Sequence, residues 1–312
     1  TRLRVPNSLK NEKKTPILTG NCGIPPRAAV VHLPYAASTA CMASLRIASL
    51  FSVTGKTVWV TGGSRGIGRM IAEGFVANGA NVIITARDSD RCAAASDEMN
   101  AMEGAPGTCS SLPGDLSSVD SCRALAAALA KHGNGRLDVL VNNSGTSWGE
   151  DFDAASEKGW DKVFDLNVKG MFFLTQACAP LLSASGTAAS PARVINIGSV
   201  AGVTHQPWPT HAYDLSKAAV HHLTSKLGFE LAPRHITVNA IAPGLVPSSM
   251  SEQLETYANA ETLAASAPLG RVGAPCDLAG AAIYLASPAA SWVTGTVLRV
   301  DGGLLAHPCS MT

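Results

Sequence analysis

Tyr213 and Lys217 stand four residues apart, and Ser199 precedes the tyrosine by 14. On a helix that spacing puts tyrosine and lysine on one face. A phenol near its reference pKa of about 10 is a poor proton shuttle at neutral pH. A neighbouring ammonium favours the phenolate, so the lysine is expected to lower the tyrosine pKa. Ser199 follows the strand-like run Val194-Ile195-Asn196-Ile197-Gly198, which suits its hydroxyl to a substrate carbonyl. Asn167, in Leu166-Asn167-Val168-Lys169-Gly170, falls inside a helical pattern, where asparagine is a mediocre helix former. A buried amide there is expected to hold a water linking the lysine to solvent. Each residue also has a plain reading: a solvated helix face, a helix cap and a satisfied core amide. Their joint occurrence behind a second motif argues against coincidence.

That second motif lies about 150 residues before the tyrosine. Gly62, Gly66 and Gly68 form a Gly-x-x-x-Gly-x-Gly turn between the apolar run Val58-Trp59-Val60 and a helical pattern. Such glycines let backbone N–H groups approach phosphates, and the helix N-terminus favours negative charge. Thr61–Gly68, with Ser64, Arg65 and Ile67, is therefore expected to cradle a dinucleotide pyrophosphate. An NAD site places a carboxylate at the end of the second strand, about 20 residues on. Here the run is Ile84-Thr85-Ala86-Arg87-Asp88. Arg87 suits a 2′-phosphate, with Arg65 as a second cation, so NADP(H) is expected. Asp88 is the competing signal, since a small shift in register would let it favour NAD. Asp115 and Leu116 fit an adenine contact, and Asp115 equally fits a cap for a helix near Ser117. Asn142-Asn143-Ser144-Gly145 closes a fourth strand, where ligands gather in such sheets; a plain turn is the alternative. A dinucleotide cradle followed by a proton-transferring tyrosine describes hydride transfer.

These residues need elements to position them. From Thr54 onward, apolar β-branched runs alternate with longer helical stretches. Strands are predicted at residues 57–60, 81–86, 108–112, 137–142, 193–197, 236–241 and 297–300. Helices are predicted at 69–77, 91–102, 119–131, 160–182, 212–231 and 277–286. Strand–helix alternation argues for βαβ units, and continuous apolar strands for a sheet covered on both faces. The expected fold is a single Rossmann-type, doubly wound α/β domain over residues 51–312, with about seven parallel strands.

Residues 1–50 differ. Arg2, Arg4, Lys10, Lys13, Lys14 and Arg27 face one acid, Glu12, among five prolines, without periodicity. A disordered extension, a leader before Met42 and a targeting segment all fit, so the expected cytoplasmic location leaves organelle import as an alternative. Hydrophobic residues make up 46% of the 312 and charged residues 15%, which is ample for a core. A net charge of +1 points to neither nucleic acid nor anionic membrane. No apolar run approaches the roughly 18 residues of a membrane span. The eight cysteines include no Cys-x-x-Cys and no histidine at metal-ligand spacing, so free thiols in a reducing compartment and no metal are expected.

With these motifs the chain resembles the classical short-chain dehydrogenases/reductases over about residues 52–305. The resemblance implies a cofactor turn at Thr61–Gly68, a second cofactor motif at Asn142–Gly145 with Ser144 in place of alanine, and a catalytic tetrad of Asn167, Ser199, Tyr213 and Lys217. It also implies cofactor contacts at Pro243, Gly244, Val246 and Ser248, the serine offering the hydroxyl usually supplied by threonine. Asn143–Glu150, Pro191–Gly202 and Ala86-Arg87-Asp88 are similar to NADPH-dependent 3-ketoacyl reductases within that family. The resemblance implies reduction of a small-molecule ketone or 3-oxoacyl thioester, and a homotetramer or homodimer built on the helices of Asn167 and Tyr213. Substrate specificity is expected in Leu245–Gly273, in His205–Pro209 with its Trp208, and at Trp148. His205, His211, His221 and His222 are expected in loop or surface roles. A secondary alcohol or polyol dehydrogenase, and a non-catalytic NADP(H)-binding regulator, remain the rival readings.

Overall fold

The computed structural model describes residues 45–132, 135–247 and 260–306. The strands are β1 Thr57–Thr61, β2 Asn81–Thr85, β3 Thr108–Ser111, β4 Val139–Asn142, β5 Ala192–Ile197, β6 Ile236–Pro243 and β7 Val297–Val300. They form one parallel sheet in the order β3-β2-β1-β4-β5-β6-β7. Every predicted strand is present, with ends that differ by two residues at most. The helices that follow β1 are α1 Gly66–Ala77, α2 Ser89–Asn100, α3 Val119–His132, α4 Glu157–Phe164, α5 Met171–Ser185, α6 His211–Glu230, α7 Ala260–Ser266 and α8 Pro275–Ala286, and one short turn of helix, Ile47–Leu50, precedes it. None is long and apolar enough to cross a membrane.

Alternation along each strand builds two cores. Val58, Val60, Val139, Val141, Ile195 and Ile197 pack with Ile71 and Phe75 of α1 and with Leu278 and Leu285 of α8. Trp59, Leu140, Val194 and Val238 face the other way, onto Leu125 and Leu129 of α3, Leu174 and Leu182 of α5, and Leu227 of α6. Successive side chains of a strand point to opposite faces, so strands that are apolar throughout need helices on both sides.

One predicted helix is divided. The run expected at 160–182 is α4, then a π-helical turn at Asp165–Gly170, then α5. Gly170 lies so close to the Leu116 carbonyl that a Cβ would collide with it. The wider turn centres on Asn167, and such turns recur at functional sites. Helix α7 was not anticipated and falls within the predicted specificity segment Leu245–Gly273. Residues 248–259 of that segment, residues 1–44 of the extension, Ser248 and the cysteines at 22, 41 and 309 lie outside the described residues. The remaining cysteines are free thiols, and the described residues hold no cluster able to bind a metal.

Strand order reverses between β1 and β4. Open α/β sheets bind ligands in the crevice beyond the C-terminal strand ends at that point.

Candidate active site

A cavity of about 900 Å³ opens there. At one end it is walled by Gly62, Ser64, Arg65, Gly66 and Ile67 of the first turn, and by Arg87 after β2. Gly62 adopts φ 66°, the left-handed region in which a side chain is strained. Gly68 is packed against Asn143 and the Gly62 carbonyl, with no room for a Cβ, so it serves the packing of α1 instead of lining the cavity. Thr61 ties the two strand ends together. Its Oγ1 accepts from the backbone N–H groups of Asn143 and Ser144, both at 2.9 Å, and donates to the Val141 carbonyl at 3.2 Å. Asn143 Nδ2 returns bonds to the Thr61 and Gly62 carbonyls at 2.8 and 3.2 Å. The threonine hydroxyl and the asparagine amide therefore lock the glycine turn onto β4.

Arg65 and Arg87 are exposed at the cavity wall and make no ion pair among the described residues. Asp88 does not line the cavity. Its carboxylate caps α2, accepting from Arg91 N at 3.0 Å, with Arg91 Nε 3.7 Å away. The competing NAD signal is thus accounted for by a helix cap. Asp115 and Leu116 line the cavity, while the Asp115 carboxylate accepts from Ser117 N at 3.1 Å and from Ser117 Oγ at 2.9 Å. Asp115 thus makes a turn with Ser117 at the wall, while α3 is capped by Ser118, whose Oγ accepts from Ser121 N at 3.2 Å.

At the other end stand Ser144, Gly145, Ser199, Tyr213 and Lys217, with Pro243, Gly244 and Val246 after β6. Lys217 is buried, and its Nζ donates to the Ile197 carbonyl at 2.8 Å. The same nitrogen lies 5.5 Å from the centre of the Tyr213 ring. Burial lowers the lysine to about 8. The expected lowering of the tyrosine is not found. Burial pushes the Tyr213 phenol up, the side-chain hydrogen bond with Ser199 pulls it down, and burial is the larger effect. Desolvation disfavours a phenolate more strongly here than Ser199 favours it, and the adjacent Asp214 charge disfavours it further. Ser199 Oγ also accepts from Ala201 N at 3.1 Å, so it does cap the short turn Val200–Gly202 while facing the cavity.

Asn167 is buried and is no wall residue. Its Oδ1 accepts from Thr146 N at 2.8 Å, and its Nδ2 donates to Thr146 O and Ser216 Oγ, both at 3.0 Å. Both N–H groups and one of the two Oδ1 lone pairs are thus taken. The side chain is a brace between the π turn, the Thr146 loop and α6, and it has only one lone pair left for the expected water. Ser216, absent from the expected site, completes that brace by donating to the Tyr213 carbonyl at 2.7 Å. A Cβ on Gly145 would lie 3.2 Å from Asn167 Oδ1 and 3.7 Å from Lys217 Nζ, so the glycine keeps the space between them clear.

Gln206, Pro207, Trp208 and Pro209, from a segment expected to set specificity, line the cavity, joined by Thr262 and Ser266 of α7 and by Leu304. Trp148 does not line the cavity. It packs against Gly159 of α4, with Lys162 Nζ 4.3 Å above its ring, because the loop after β4 folds back onto that helix. His221 also departs from expectation: it is half-buried, its ring pressed against Gly198. His205, His211 and His222 are exposed.

Residues 52–305 match the family model described as enoyl-(acyl carrier protein) reductase. The chain is 47% identical over 254 residues to the rhamnolipids biosynthesis 3-oxoacyl-(acyl-carrier-protein) reductase of Pseudomonas aeruginosa, across 81% of this chain and 97% of that protein. The chain belongs to the short-chain dehydrogenase/reductase family. Among other family members, it is 39% identical over 258 residues to 3beta-hydroxysteroid dehydrogenase 1 of Eggerthella lenta, across 81% of this chain and 95% of that one. A solved family structure, the Pseudomonas aeruginosa RhlG/NADP active-site complex, matches with a TM-score of 0.77 and 46% identity, covering 82% of this chain and 98% of its own.

Proposed function

We propose that this short-chain dehydrogenase/reductase is an NADP(H)-dependent carbonyl reductase. It converts a 3-oxoacyl thioester or related ketone to the hydroxy compound. One observation carries the reading: a single cavity has at one end two arginines that make no ion pair among the described residues, and at the other a tyrosine, a serine and a buried lysine. The name of the relative at 47% identity and the NADP in the matching solved complex support the choice of substrate and cofactor.

The residues present fit NADP(H). The Gly62–Gly66 turn and the start of α1 would receive the pyrophosphate, and Arg65 and Arg87 the 2′-phosphate. Asp115 and Leu116 would flank the adenine; Asn143–Gly145, Pro243, Gly244 and Val246 would line the rest of the cofactor. When bound, NADPH supplies the hydride that reduces the carbonyl carbon. Tyr213 gives its proton to the carbonyl oxygen as charge develops there. A phenol with a raised pKa stays protonated at neutral pH, as an acid for reduction must. Ser199 holds the same oxygen. Lys217, largely protonated at neutral pH with a pKa of about 8, favours the phenolate left behind and would bind the ribose. Asn167 keeps the Thr146 loop and α6 in register around the lysine.

We extend the proposal to residues 51–312 as the catalytic body and residues 1–50 as an extension. It also includes a homotetramer or homodimer through the helices of Asn167 and Tyr213, where Trp160, Leu215 and Phe229 are exposed; light scattering on the purified chain reads that state.

The test gives the protein NADPH or NADH with a short 3-ketoacyl thioester and with simple ketones, and follows cofactor oxidation. Oxidation of NADPH with the thioester, and little of NADH, supports the reading. Turnover confined to alcohols with NAD+ overturns it.

A further inference from the structure

Asp214 directly follows Tyr213 and lines the same cavity. Its Oδ1 accepts from the Thr210 hydroxyl at 3.0 Å, and its Oδ2 from the Gln206 backbone N–H at 3.4 Å. Both donors belong to the segment that forms the substrate wall, Gln206–Thr210. Pro207 and Pro209 have no N–H, so this segment has few backbone donors with which to anchor itself. Gln206 gives its N–H to Asp214. Thr210 N donates to Trp208 O at 2.8 Å, and the Pro209 carbonyl accepts from Glu150 N at 2.9 Å.

Thr210 is the N-cap residue of α6, yet its side chain makes no capping bond. A threonine in that position ordinarily accepts from an N–H of the first turn. Here its hydroxyl is turned to the carboxylate. No lysine or arginine pairs with Asp214 among the described residues. Burial pushes its pKa up, and this outweighs the hydrogen bonds from Thr210 and Gln206 and the nearby His211 and His205, which pull it down. A half-buried carboxylate without a strong cation is unfavourable for folding, and a clamp on the wall accounts for its presence.

We infer that Asp214 is a specificity-determining residue: by holding Gln206 and Thr210 to α6, it sets where the Trp208 wall stands and which substituents fit beside Tyr213. The inference rests on reading the cavity as a carbonyl-reductase site. Arg65 and Arg87 are not among its partners, so loss of the clamp leaves the expected 2′-phosphate end of the cavity in place.

The test compares kcat/KM for a short and a long 3-ketoacyl thioester in the wild type, Asp214→Ala, Asp214→Asn and Thr210→Val. NADPH affinity, thermal stability and amide hydrogen exchange across 203–210 are measured in parallel. In Asp214→Ala the long-to-short ratio is expected to shift by about tenfold or more, the scale on which pocket contacts discriminate substrates. NADPH affinity is unchanged and the Gln206 amide exchanges faster. Asp214→Asn, which keeps one acceptor, recovers part of the ratio. Thr210→Val shifts the ratio in the same direction by less, and serves where the alanine variant folds poorly. An unchanged ratio in both Asp214→Ala and Thr210→Val, or equal losses on both substrates in step with thermal stability, overturns the clamp. Absence of turnover by the wild type on every carbonyl would instead overturn the reductase reading, and the clamp would then be judged by exchange at Gln206, where unchanged protection overturns it.

Discussion

Strand β5 has a buried cation at each end. Near its start Arg193 donates to the Pro191 carbonyl at 2.7 Å and to the Ser287 carbonyl at 3.1 Å, and its Nε has no partner. At its end Lys217 donates to the Ile197 carbonyl at 2.8 Å. Among the described residues neither cation pairs with a carboxylate. Burial lowers both, the arginine to about 10 and the lysine to about 8. The same desolvation thus has two results. A guanidinium at about 10 keeps its charge through the neutral range and serves as a fixed donor to two buried carbonyls. An amine at about 8 stands where small changes in surroundings alter its charge, and it stands beside a phenol. The difference follows from the sheet: strand starts are closed over by packing, while strand ends face the crevice.

The largest expected effect tests the open end. Tyr213→Phe is expected to lower kcat by about 10²–10⁴, the usual worth of a positioned acid, while NADPH binding by direct titration stays largely intact. A phenylalanine variant with near wild-type turnover would remove the chemical role from this end of β5. The closed end is tested by Arg193→Met. It leaves the Pro191 and Ser287 carbonyls without their donor, at about 1–3 kcal/mol for each buried unsatisfied group, read by urea unfolding. The folded variant is expected to retain its kcat; lost activity with unchanged stability would erase the contrast between the two cations.

Smaller effects sharpen it. Arg87→Ala removes the proposed charge-assisted contact to the 2′-phosphate, worth about 1.5–3 kcal/mol, so NADPH affinity is expected to fall at least about tenfold with NADH unaffected. Equal losses for both cofactors would contradict that role. The mildest is the pH profile. Lys217 is charged below its pKa of about 8 and neutral above it, so kcat/KM for reduction is expected to decline as pH rises through that value. A profile flat across the same range would separate the lysine charge from catalysis.

Much of this was legible in the residue order. The strands and the glycine turn depend on short-range pattern: β-branched runs make strands, and Gly62 supplies a left-handed turn that other residues adopt only with strain. Arg87 and Asp88 were a harder case, because they are adjacent and each suits a different cofactor. The helix start decided between them, since the Asp88 carboxylate is held by Arg91 N. Three expectations failed for a common reason. Trp148 left the cavity wall, His221 left the surface and the Tyr213 pKa moved up, because each depends on which distant segment packs against it. Spacing along a helix brings Lys217 near Tyr213, but it does not report how much water the pair loses.

By itself the sequence determined a doubly wound α/β chain, the place of its dinucleotide turn, and the types and order of the groups in its candidate site. These follow from local pattern and from spacing within single elements. Only the tertiary structure decided that Asn167 is a brace on Thr146 and Ser216, that Asp88 is a cap while Arg87 faces the cavity, and that Asp214 accepts from Gln206 and Thr210. Those outcomes depend on burial and on contacts between residues far apart in sequence, because hydrogen-bond partners and lost solvent are properties of the assembled fold.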